Sequence, residues 1–131
     1  RYVFPFGSVK FVPALHSSGY EIDGVMTYMG EASGIILEAE DKKIYHAGDT
    51  ALFSDMRLFA KDKSIDVAFL PIGDNYTMGP EDALQAVSYL NPKITIPIHY
   101  NTFPVIQQNP AIFVEQVVGG KVLNPGETIL V

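Results

Sequence analysis

The sequence predicts a layered α/β domain, and three observations carry that expectation. Apolar runs of strand length alternate with segments whose apolar residues recur at spacings of three and four. Most of these runs break off into Gly, Asn, Asp or Pro. The 131 residues are 47% hydrophobic and 18% charged, which is enough apolar material for one core. A single domain over residues 1–131 follows.

Ser8 to His16 is a β-branched and aromatic run that meets Ser17-Ser18-Gly19, a strand entering a loop. Tyr20 to Ser33 reads as an irregular excursion with one short strand near Val25 to Tyr28. Gly34 to Ala39 and Lys42 to His46 are two strands of a tight hairpin around Glu40-Asp41, and the second runs into Ala47-Gly48-Asp49-Thr50. Leu52, Phe53, Met56, Phe59 and Ala60 define a helical face over 51–62, with Asp49 or Thr50 as its cap. Ile65 to Ile72 is nearly unbroken apolar sequence, the pattern of a strand buried on both faces. Pro80, Glu81 and Asp82 open a helix whose apolar stripe ends at Asn91-Pro92. Ile94, Ile96 and Ile98 form a strand ending on His99. A last helix runs from Asn109-Pro110 to Val118, and short strands follow near Val122 and from Thr128 to Val131.

Composition narrows the function. Fifteen acidic against nine basic side chains leave a net charge of −6, so no basic surface is expected to attract nucleic acid or an anionic membrane. No apolar stretch approaches the roughly 20 residues of a spanning helix, and Arg1 to Phe6 lacks the apolar run of a secretory signal. The absence of cysteine excludes disulfides and thiolate metal sites and fits a reducing, cytoplasmic setting. No G-x-S-x-G elbow, phosphate loop or dinucleotide fingerprint is present.

Three predicted strands end in polar residues that a core would reject: His16, Asp49 and His99. Ligand sites in open α/β sheets gather beyond the carboxyl ends of strands. If the three tips share an edge, two imidazoles and a carboxylate suit zinc, manganese or iron. Taken singly, each is also what an ordinary strand-end histidine or helix cap looks like. His46, on the opposite side of a regular strand from Asp49, reads equally as an outer contact of the site or as a half-buried histidine bonded to backbone. Asp74 and Asn75 read first as turn residues.

The runs His16-Ser17-Ser18-Gly19, Ile44 to Thr50 with Leu52 to Met56, Leu70 to Pro80, and Ile96 to Phe103 closely resemble the metallo-β-lactamase superfamily. Within it the chain is similar to bacterial metal-dependent hydrolases related to ascorbate-6-phosphate lactonase. The resemblance implies an αββα sandwich with one or two divalent ions, Zn or Mn, at one edge. It implies that His16 binds the first ion, that Asp49 bridges both as the catalytic carboxylate, and that His99 binds the second. It places Asp74, Thr77 and Asn101 in loops bordering the site, with His46, as substrate or outer contacts. The family's His-x-His-x-Asp-His motif does not occur, and the chain holds three histidines in all. The expectation is therefore the C-terminal half of a sandwich, hydrolysing an ester, lactone or phosphodiester of a small-molecule substrate only when an N-terminal half completes the site. The alternative is a non-catalytic half-domain that self-associates or binds a partner. In either case the apolar strands predict a sheet face that the chain's own helices do not cover, to be buried by the N-terminal half or a second copy.

Overall fold

The computed structural model describes residues 1–131. Six strands form one mixed sheet in the order β1 (Tyr2–Phe4), β2 (Gly7–Pro13), β5 (Ser33–Ala39), β6 (Lys42–His46), β7 (Val67–Pro71) and β8 (Ile94–Ile98). β3 (Gly19–Ile22) and β4 (Val25–Tyr28) make a separate hairpin. β1, β2, β5 and β6 pair antiparallel, whereas β6, β7 and β8 pair parallel. Glu40 and Asp41 both take left-handed backbone, φ 48° and 60°, the geometry of a two-residue hairpin turn whose twist matches that of its strands. The parallel pairs need crossovers, and α1 (Pro80–Leu90) supplies the one between β7 and β8.

Both helices, α1 and α2 (Pro110–Glu115), pack on the same side of the sheet. There Val12, Ile36, Tyr45, Ala68 and Leu70 from the strands meet Ala83, Ala86, Leu90 and Phe113 from the helices in one buried cluster. The alternate residues project from the other side: Val9, Phe11, Ile35, Leu37, Ile44, His46 and Phe69, aligned by cross-strand register. No helix covers them, and Phe11 is 67% exposed. One sheet with helices on one face has the layering of half an αββα sandwich, the fold class that the sequence predicts.

Several local expectations are corrected. The helix expected over 51–62 is a single 3-10 turn at Ser54–Leu58, preceded by extended Phe53. Met56 and Phe59 still bury, but the Lys43 ammonium donates to the Phe59 and Lys63 carbonyls and so ends the turn there. Neither Asp49 nor Thr50 caps it. Tyr2–Phe4 is an unexpected strand, and the supposedly irregular stretch after Tyr20 contains β3, closed on β4 by the Asp23-Gly24 turn with both residues left-handed. α2 is shorter than expected. The two C-terminal strands do not form; that segment keeps one bridge, Gly120 to Thr95, then turns at Asn124, whose amide donates to Glu127. No helix is long and apolar enough to cross a membrane.

Candidate metal centre

Strand direction decides which residues can meet. β2 runs antiparallel to β5, and β5 antiparallel to β6, so β2, β6, β7 and β8 all place their carboxyl ends on one edge. His16 follows β2, Asp49 follows β6, and His99 follows β8 directly. His16 and Asp49 sit in loops three residues past their strands, rather than at the tips as expected.

The chain then turns sharply at each position. Gly48 has φ +66° and lies against the Ser33 carbonyl, which leaves no room for a side chain. His99 itself is left-handed, φ 55°, and Gly73 passes so close that a β-carbon there would collide with the His99 carbonyl and sit 3.1 Å from Nδ1. That Nδ1 is buried and makes no hydrogen bond, so the ring presents Nε2 outward. Leu15, next to His16, is held at both ends: its amide donates to the Thr50 hydroxyl at 2.9 Å, and its carbonyl accepts from the Ala51 amide at 3.0 Å.

These turns bring the two imidazoles to the two oxygens of one carboxylate. His16 Nε2 lies 3.8 Å from Asp49 Oδ2, and His99 Nε2 lies 3.7 Å from Asp49 Oδ1. Both separations exceed hydrogen-bond length. Two bonds of about 2.0–2.1 Å meeting at a shared ion span at most about 4 Å, so each pair fits as two ligands of one divalent ion. The donor set, nitrogen and carboxylate oxygen without sulfur, suits zinc or manganese. The Asp49 side chain is 46% exposed and the imidazoles about a quarter exposed, so the centre opens to solvent. No three His, Asp or Glu side chains form a cluster able to hold one ion. The arrangement sets one imidazole at each oxygen of the Asp49 carboxylate.

The remaining candidates make no hydrogen bond to this centre. His46 lies on the uncovered sheet face, stacked on Phe69, with Nδ1 accepting from the Gly48 amide at 3.1 Å. Burial lowers its pKa and the nearby Asp49 charge opposes that shift. Asp74 accepts from the Asn75 amide, Thr77 donates to the Met78 carbonyl, and Asn101 accepts from the Gln108 amide. None is hydrogen-bonded to His16, Asp49 or His99, so each is at present occupied by its own loop. Sequence reasoning missed Thr50 and Gly73, which act on the backbone of the centre rather than at it; the only signal was their place beside Asp49 and after β7.

Residues 3–100 match the family model described as a beta-lactamase superfamily domain. The chain is 97% identical over all 131 residues to a protein of Enterococcus faecalis named a metal-dependent hydrolase, and 55% identical over 130 residues to one so named from Bacillus cereus. It spans 58% and 57% of their lengths. Among solved structures, a metallo hydrolase from Ignicoccus hospitalis superposes with a TM-score of 0.79 at 38% identity, over 92% of this chain and 51% of that one. An edge built from the ends of β2, β6 and β8, and a match running from β1 through Tyr100, agree: the chain belongs to the beta-lactamase superfamily domain family.

Proposed function

We propose that the chain is the C-terminal part of a metal-dependent hydrolase acting on an ester, lactone or phosphodiester of a small molecule. The observation that supports this reading most is the placement of one histidine at each oxygen of Asp49. His16 would hold one ion, His99 the other, and Asp49 both. Divalent ions held there bring a water's pKa towards neutrality and polarise the bond to be cleaved. Asp49 would fix the spacing of the two half-sites, and the buried back of His99 would keep its Nε2 aimed at the carboxylate. His46, Asp74, Thr77 and Asn101 would contact substrate or support the ligands once released from their present partners. The names of the Enterococcus and Bacillus relatives point the same way, and the length those relatives have beyond this chain can supply the missing ligands.

The test is zinc and manganese titration by calorimetry, with turnover of p-nitrophenyl esters, lactones and bis(p-nitrophenyl) phosphate. The 131-residue chain alone should bind weakly and turn over poorly, because each ion has two protein ligands. Joining it to the preceding segment of a longer relative should raise both, and Asp49→Ala should abolish both by serving neither half-site. Tight stoichiometric metal with robust turnover by the chain alone would reject the shared-site reading, and failure of the joined protein to bind metal would reject the hydrolase reading.

The bare sheet face supports a second reading, a non-catalytic half-domain that covers Phe11, Ile35 and Phe69 with a second copy of itself. A stable dimer of the isolated chain that persists, without hydrolysis, in the joined protein would favour it.

A further inference from the structure

We infer that Thr50 is a positioning residue of the metal centre, its buried hydroxyl setting the distance between His16 and the Asp49 carboxylate; this rests on reading those two residues as ligands. Thr50 is fully buried, and its hydroxyl is used on both sides, accepting from the Leu15 amide at 2.9 Å and donating to the Ala51 carbonyl at 2.8 Å. The Ala51 amide returns a bond to the Leu15 carbonyl. Asp49 immediately precedes this joint on one strand of chain and His16 immediately follows it on the other.

Little else ties the two segments together. Leu15 is 53% exposed, so packing does not anchor it. The neighbouring bonds of Ala14 and Ser18 run to Ala32 and Gly30, at the base of the β3–β4 hairpin, not to the Asp49 loop. On its carbonyl side Thr50 accepts from the Met78 amide at 2.9 Å, and the Met78 carbonyl accepts from the Asp74 amide at 3.0 Å. One residue thus joins the loops that follow β2, β6 and β7. A helix cap at this position would accept from an amide two or three residues further along its own segment; the Thr50 hydroxyl accepts instead from the Leu15 amide on another.

Thr50→Val keeps the shape and removes both hydroxyl bonds, while Thr50→Ser keeps them. Outer partners of metal ligands are worth roughly tenfold to a hundredfold in affinity. Zinc affinity should therefore fall by about tenfold or more in Thr50→Val and return to within about threefold of the parent in Thr50→Ser. Calorimetry is run on the 131-residue chain at a temperature where circular dichroism shows every variant folded. Leu90→Ala, a core truncation at the far end of α1, lowers the melting temperature without moving zinc affinity, which separates positioning from stability. Crystal structures of the metal-free parent and Thr50→Val supply a readout independent of zinc: the His16 Nε2 to Asp49 Oδ2 separation, 3.8 Å in the parent, should widen in the variant. Unchanged affinity with unchanged separation in Thr50→Val overturns the inference. If no form binds zinc even when joined to the preceding segment of a longer relative, the ligand reading fails by itself and the separation decides what Thr50 does.

Discussion

The two faces of the sheet differ in what covers them. On one, Tyr45, Ala68 and Leu70 are sealed beneath α1 and α2 with no exposed surface. On the other, Ile44, His46 and Phe69 stand partly or fully open, although Val67 and Ile96 of that face are buried. Strand alternation makes both faces apolar, but the helices of this chain reach only one. The difference teaches that apolar sequence specifies that a face be buried without specifying by what.

The largest expected effect sets the faces directly against each other. In urea unfolding at nanomolar concentration, below the range in which the chain should associate, Phe113→Ala empties a site under the helices and should cost about 3–5 kcal/mol, whereas Phe11→Ala on the open face should stay within about 0.5 kcal/mol. Equal losses there would mean that the open face is covered even in the monomer. Next, Asp66→Asn tests the polar rim of the covered side. Asp66 accepts from the Lys43 amide and the Lys93 ammonium, and losing the charge should cost about 1–3 kcal/mol. The Lys93 hydrogen bond chiefly holds its carboxyl below the usual range, with the Lys43 amide adding to this against the opposing effect of burial. Because the folded pKa is depressed, this stabilisation is complete above the unfolded value and is lost as pH falls through the folded one. Acid titration of parent and Asp66→Asn should therefore converge at low pH.

Association comes third. The parent should self-associate at micromolar concentration in sedimentation, and Phe11→Ser with Ile35→Thr should weaken that by about tenfold or more without lowering helix content. A parent that stays monomeric would break the comparison. The smallest effect belongs to His46. Its pKa is lowered by burial, so the fold favours the neutral ring; stability is full above about 6.5 and declines as pH falls below it. His46→Gln should flatten that decline, and covering the face should steepen it in the parent.

Much of this architecture was legible because its signals are local. The Glu40-Asp41 turn, the Pro80 start and Asn91 stop of α1, and the alternation of Ile94, Ile96 and Ile98 were each readable from a few neighbouring residues. The convergence of His16, Asp49 and His99 followed from the edge rule and the family resemblance together. The turn at Ser54–Leu58 was not legible, since what ends it is Lys43, a buried lysine on another element. Thr50 looked like a helix cap for the same reason: the amide its hydroxyl accepts from lies across the sheet edge, not along the chain. Asp23-Gly24 was a readable hairpin signal that the mixed composition around it obscured.

The change from antiparallel to parallel pairing at β6 also orders events in time. β5 and β6 close through a two-residue turn, a microsecond step with little chain entropy at stake. β7 and β8 must wait for long crossovers, and non-local pairing of that kind slows folding. Asp49 belongs to the early hairpin side and His99 to the last strand laid down, so their meeting comes late. Substitutions at His99 should consequently alter the rate of unfolding and leave the rate of folding almost untouched, whereas those in the β5–β6 hairpin should slow folding.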